Sequence, residues 1–220
     1  MCGRYTFEPI DDVLERFDID GAELDLEPNY NVAPTQTMPV VVRNSPNHLE
    51  FMRWGLIPSW AKDWKIGYKM INARAETVAE KPAYRKAFAS QRCLVPASGF
   101  YEWRKTDDGK IPHYIHLKSG ELFAFAGLYD VWHDEQGREV HTYTIITTEP
   151  NALMYEIHDR MPVILKRQDE EIWVDPAVKD RERLEALLVP YSSDEMEAYP
   201  VSPRVNSPRN NDTTLTERAG

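Results

Sequence analysis

Ile10, Val13, Leu14 and Phe17 recur at the three-to-four-residue spacing that lines one face of a helix. Residues 9–17 are therefore expected to form an amphipathic helix with Pro9 in its first turn. The period then shortens. TMPVVVR (37–43) and HLEFMRW (48–54) flank NSPN and predict two strands joined by a turn. PAYRKAFA (82–89) predicts a short helix. A β-rich stretch follows: RCLVP, FYEWRK, IPHYIHLK, LFAFAGLYDVW and EVHTYTIITT predict strands, punctuated by the turn sequences TDDGK, KSG and HDEQG. NALMYEIH reads as a short helix, MPVIL as a strand and residues 180–188 as a helix. The closing NNDTTLTERAG is polar and is expected to fray.

Strands dominate the middle of the chain without strict strand–helix alternation. That favours an α+β fold in a single domain, a mostly antiparallel sheet or open β-barrel core flanked by short helices. The 220 residues suit one compact domain with a substantial core, here residues 1–212, followed by a polar tail over 213–220. No apolar run approaches the ~18–20 residues of a membrane span. The N-terminal MCGRYTFEPIDD turns acidic where a signal peptide would be apolar, so a cytoplasmic monomer with no membrane partner is expected. Two cysteines, Cys2 and Cys93, make no disulfide framework, and no His/Cys spacing reads as a zinc site; no metal or cofactor is expected. Cys93, inside an apolar run, reads as a buried core thiol.

A net charge of −10 argues against global attraction to nucleic acid, but its distribution is uneven. Residues 1–50 hold 3 basic and 10 acidic side chains, residues 51–105 hold 11 and 4, and residues 106–220 hold 12 and 22. The basic middle fits either a local anion-binding surface or a chance excess on a solvated face.

Cys2 follows the initiator methionine, and a small second residue is the condition under which methionine aminopeptidase removes Met1. The mature terminus would then carry a thiol and a free α-amine on adjacent carbons. That amine, with an ordinary pKa near ~7.7–8.0, is partly neutral and nucleophilic at neutral pH. It can form a Schiff base with an aldehyde, which the thiol can close into a thiazolidine. The same terminus can serve as an N-terminal nucleophile for amide hydrolysis. With Met1 attached the nitrogen is an amide and neither amine-dependent route is open, so Met1 is expected either to crowd the pocket or to project along the path of a ligand.

MCGRY is followed by NYNVAPTQ, RWGLIPSW, MINARAET, RCLVPASGFYEW, AFAGLYD, TIITTEPN, IHDRMPVIL and VSPRVNSPRNND. Together, from residue 2 to about residue 212, these motifs resemble the SRAP family (SOS response-associated peptidase), whose members handle abasic sites in DNA. The resemblance implies single-stranded DNA containing abasic sites as partner, and it implies catalytic roles for Cys2, Asn72, Glu102 and His158. It implies DNA contacts at Arg4, Arg74 and Arg160, as phosphate ligands, and at Trp60 and Pro34, against flanking bases. Some relatives carry a second aromatic where this chain has Ala61. Trp54 and Trp64 read as core or rim packing.

The residue types fit these roles. A carboxylate such as Glu102 among Phe100, Tyr101 and Trp103 can have a raised pKa and move the protons of Schiff-base formation. His158 can protonate the sugar ring oxygen to expose the aldehyde. Asn72 can hold the α-amine without adding charge. Read alone, Glu102 could be a solvated strand residue, His158 a structural partner of Asp159, and Asn72 a helix cap. Three functions stay open: a covalent abasic-site crosslinker, a Cys2-dependent (auto)peptidase, and a non-catalytic single-strand binder.

Overall fold

The computed structural model of the chain describes residues 2–8, 13–19, 26–43 and 47–220. Among them the strands are β1 (Tyr5–Phe7), β2 (Asn29–Val32), β3 (Thr37–Arg43), β4 (Asn47–Trp54), β5 (Asn72–Arg74), β6 (Arg92–Ala97), β7 (Gly99–Thr106), β8 (Gly109–Leu117), β9 (Phe123–His133), β10 (Glu139–Thr148), β11 (Met161–Pro162) and β12 (Met196–Pro200). The helices are α1 (Val13–Arg16), α2 (Arg85–Ser90), α3 (Ala152–Tyr155), α4 (Arg167–Val174) and α5 (Arg181–Glu185), with 3-10 turns between them.

Strands β4, β3, β6, β9 and β10 pair in that order, and β10 returns to β4, so the sheet closes into a barrel. The β4–β10 seam is parallel, with Thr142 opposite Arg53 and Tyr143 opposite Trp54; the other seams are antiparallel. Alternate residues of each strand face inward. Met38, Val40, Met52, Trp54, Cys93, Val95, Phe125, Tyr143 and Ile145 belong to one buried cluster. Their neighbours Val41, Leu94, Ala124, Ala126, Leu128 and Ile146 belong to a second, shared with Phe88 of α2, Trp173 of α4 and Leu184 of α5. Strands covered on both faces need apolar residues at every position, which explains why RCLVPA and FAFAGL show no alternation.

A second, antiparallel sheet runs in the order β12–β8–β7–β1–β2. Short β5 and β11 flank the C-terminal half of β10. The α+β architecture with a barrel core is as expected, and several local boundaries shift. The amphipathic helix is seen over Val13–Arg16, its expected start at residues 9–12 lying outside the described residues, as do residues 44–46 of the NSPN turn. MPVIL keeps only a two-residue strand, plus a bridge from Ile164 to Phe125. The tail expected to fray is packed instead. Thr213–Thr216 forms a 3-10 turn whose Leu215 is fully buried in a cluster with Tyr101 and Tyr114, and Ala219 N–H donates to the Pro200 carbonyl at 2.8 Å. One apolar residue in a polar segment is enough to dock it. Among the described residues no helix is long and apolar enough to cross a membrane.

Candidate active site

Cys2 precedes β1 and is fully buried, in the same interior cluster as Tyr5, Ile145, Met154 and Met161. β1 runs beside β7, with Tyr5 opposite Phe100, and Tyr101 N–H donates to the Arg4 carbonyl at 3.0 Å. This pairing brings the start of the chain alongside Glu102. Burial, and after it the nearby Glu102 carboxylate, push the Cys2 thiol well above its usual value, so it is a thiol and not a thiolate. Glu102 is only 3% exposed. Burial pushes its carboxyl up to about 7, which leaves both protonation states populated near neutral pH.

His158 follows α3 in the turn leading to β11, and it shares an open cleft of about 610 Å³ with Trp103 and Lys105. The adjacent Asp159 is close enough to Glu102 to add to the upward shift of its carboxyl. His158 Nδ1 lies 3.1 Å from Arg160 N–H and 2.9 Å from an Asp159 carboxylate oxygen. One nitrogen cannot accept from the first and donate to the second. Burial lowers the imidazole pKa, which favours the neutral ring that accepts from Arg160 and keeps its proton on Nε2.

Asn72 opens β5, which lies parallel to β10 with Asn72 beside Ile145. Trp54 Nε1 donates to the preceding Ile71 carbonyl at 2.9 Å, and Tyr84 hydroxyl donates to the Asn72 carbonyl at 3.2 Å. The Asn72 amide donates weakly to Ile145 O at 3.4 Å, while its Oδ1 is buried without a hydrogen-bond partner among the described residues. A buried acceptor of this kind is costly unless something donates to it.

The three arginines divide into a pair and a single. Arg74 lies opposite Thr147, and Arg160 Nη2 donates to the Thr147 carbonyl at 2.6 Å, so both flank one residue of β10. Arg74 is exposed. Arg160 is bidentate to Glu76, at 2.5 and 3.0 Å, a partner that sequence reasoning missed. Nothing in NARAET beyond the bare Glu announces it. Arg4 faces elsewhere: Nη1 donates to Asn31 Oδ1 at 2.9 Å and the Val205 carbonyl at 2.8 Å, and Nη2 to the Asn206 carbonyl at 3.3 Å. Trp103 Nε1 donates to Asn206 Oδ1 at 2.8 Å. The turn Pro203–Asn206 therefore holds both Arg4, two residues from Cys2, and Trp103, next to Glu102.

Trp60 is 60% exposed, and its loop is tied down on both sides. Ser59 N–H donates to buried Asp130, Ile57 N–H to Thr142 Oγ1, and Trp132 Nε1 to the Ala61 carbonyl at 2.7 Å. Gly55 at φ 119 starts this loop, and a Cβ there would sit 2.6 Å from the Gly67 carbonyl oxygen, so only glycine fits. Pro34 is half-buried in a turn whose Thr35 adopts φ 78; Thr35 N–H donates to the Trp54 carbonyl at 2.9 Å, fastening the turn to the end of β4. Of the two tryptophans read as core or rim packing, Trp54 is core and Trp64, 42% exposed, lies at the rim. The expectation for Met1 falls outside the described residues. Among the described residues no group of three or more His, Cys, Asp and Glu is placed to hold a metal ion.

The family model described as "SOS response associated peptidase (SRAP)" matches residues 1–208. The chain is 54% identical to the abasic site processing protein YoqW of Bacillus subtilis (strain 168) over 222 residues, covering 99% of each. It is 34% identical to the abasic site processing protein HMCES of Xenopus tropicalis, over 87% of this chain and 66% of that protein. A crystal structure of a Bacteroides thetaiotaomicron protein superposes with a TM-score of 0.90 at 32% identity, covering 99% of this chain and 100% of the other. Fold, motifs and relatives agree, and the chain belongs to the SRAP family.

Proposed function

We propose that this protein processes abasic sites in DNA, binding them in single strands and linking to them covalently through Cys2 once an aminopeptidase has removed Met1. The observation that carries the reading is the pairing of a buried thiol with Glu102, a carboxyl that burial has brought to about 7. The names of the relatives point to the same substrate.

The chemistry follows from what each group can donate or accept. An abasic deoxyribose is mostly a closed hemiacetal. His158, neutral and with Nδ1 occupied by Arg160 N–H, offers Nε2–H to the ring oxygen as the ring opens. The Cys2 amine attacks the C1′ aldehyde, forming a C–N bond. Glu102 takes a proton from that nitrogen and returns one to the departing hydroxyl, which leaves as water. Asn72 Oδ1, without a partner among the described residues, suits an amine N–H and would hold the nucleophile in line. The thiol then adds across the C=N bond: a C–S bond forms, the thiol proton ends on nitrogen, and a thiazolidine results. The sum is aldehyde plus aminothiol giving thiazolidine plus water. Without a free aldehyde the site cannot undergo β-elimination, so the strand is shielded from cleavage.

A thiol raised in pKa beside a carboxylate suits this order, amine first and sulfur second. It does not suit peptidases that rest on a preformed thiolate in electropositive surroundings. The deciding experiment is denaturing gel analysis after incubation with an oligonucleotide holding one abasic site, paired with intact-mass measurement of the protein. A heat-stable shifted band is expected only from chains lacking Met1, and it should vanish in Cys2→Ala. Equal crosslinking by Met1-retaining protein would sink the mechanism. Tight binding with no covalent band would leave a non-catalytic binder.

A further inference from the structure

The segment 58–69, PSWAKDWKIGYK, is more than the mount for Trp60. Asp63 caps a 3-10 turn, Trp64–Lys69, by accepting from Lys65 N–H, and the turn presents Trp64 outward against Tyr68, ring centroids 5.4 Å apart. Behind Trp64 lies Arg53, its guanidinium carbon 5.6 Å from the indole centroid. Arg53 Nη1 is buried with no hydrogen-bond partner among the described residues. Beside these, a cleft of about 630 Å³ opens with Trp64 and Trp132 in its wall and Arg53, Lys62, Lys65 and Arg138 around it. Its size falls in the ~300–1,000 Å³ range of ligand clefts.

The charges sort themselves. Of the lining acids, Asp63 is occupied with its cap and Asp134 with Arg138 at 2.6 Å, which leaves Glu135 at the hairpin tip. Lys62 and Lys65 are exposed and form no ion pair among the described residues. Two indoles, the Arg53 guanidinium backing one of them and two ammonium groups unpaired among the described residues match one ligand chemistry: a flat aromatic ring attached to an anion. The cleft also adjoins Trp60, because Trp132, in its wall, bonds the Ala61 carbonyl.

We propose that the Trp64–Trp132 cleft is a second nucleotide subsite, which stacks a base of the single strand continuing past Trp60 and holds its phosphate on Lys62 and Lys65. The proposal rests on the single-strand reading above and names where that strand goes. Stacking of this kind tolerates any base, so the subsite adds length of grip without sequence preference. It gives the chain an aromatic step of its own where Ala61 leaves Trp60 without an aromatic neighbour.

The test uses the processed protein and single-stranded oligonucleotides with one central abasic site, carrying 2-aminopurine at each position up to four nucleotides to either side. Wild type should quench the probe at a position beyond the nucleotide next to the abasic site. Trp64→Ala should abolish that quench and weaken binding about tenfold. Trp64→Phe should restore most of both. If wild type crosslinks but Trp64→Ala matches it in quench and affinity at every position, the subsite is wrong while the function stands. If wild type neither binds nor crosslinks the oligonucleotide, both fall together.

Discussion

The two ends of the barrel use the same side-chain chemistry to different ends. Beside the C-terminal end of β10, Glu102 is drawn out of water next to Cys2, with His158 half-buried nearby. At the opposite mouth, where β4 and β10 begin, Glu50 is shared between His48 at 2.8 Å and His141 at 3.1 Å, and His141 in turn meets Glu139 at 3.2 Å. The Glu50 side chain is 32% exposed, so water and two imidazoles meet its needs. Glu102 sits at 3%, and burial moves its carboxyl to about 7. The same carboxylate chemistry titrates near neutral pH where solvent is removed and serves as a brace where it is kept.

Glu102→Gln probes that contrast hardest. Removing the titrating group should slow crosslinking about a hundredfold or more, with DNA affinity nearly intact, in single-turnover assays. A rate within a factor of two of wild type would assign the proton transfers to another group. The same variant has a stability signature. The carboxyl titrates near 7 in the folded chain against 4.5 when unfolded, so its contribution is complete below about 4.5 and is lost as pH rises through about 7. Between pH 6 and pH 8.5 wild type should lose about 1.4 kcal/mol more than Glu102→Gln in urea titrations.

A smaller effect belongs to Glu76. It fills the Arg160 fork from a half-exposed position, at 51% against 15% for Arg160, much as a phosphate would. Its pKa is lowered by that bond, so it is charged at neutral pH. Glu76→Gln should tighten single-stranded DNA binding a few-fold at low salt, with the gain fading as salt rises, by fluorescence anisotropy. Weaker binding would make Glu76 a brace for Arg160 and not a competitor. The smallest change is expected at the far mouth: Glu50→Gln should cost under about 1 kcal/mol in urea unfolding and leave crosslinking untouched. A slowed reaction there would mean that the two mouths communicate.

The long hairpins β7 to β10 were legible to within a residue or two, because their turns and apolar runs are local signals. β1 and β5 were not. Three residues carry no period, and these strands exist only through pairing with distant partners. The parallel β4–β10 seam escaped for the same reason. α4, RQDEEIWV, was missed because its apolar residues cluster at one end. The structure sets Cys2 beside Glu102, and Arg74 and Arg160 converge on Thr147. The engagement of Arg4 with Val205 and Asn206, the hold of Glu76 on Arg160 and the exposure of Trp64 depend on side-chain directions that no linear pattern carries.

The turn Pro203–Asn206 grips the first strand and the seventh from almost the far end of the chain. Synthesis runs the other way: residue 2 leaves the ribosome first, and Asn206 is among the last to follow. On the proposed mechanism, Met1 is trimmed while the enclosure of Cys2 still lacks its last wall, the turn Pro203–Asn206. A chain released early, short of Asn206, would carry the same amine and thiol without the walls around them. On the proposed mechanism, reaction assisted by Glu102 then waits for the fold that sets this carboxyl beside Cys2.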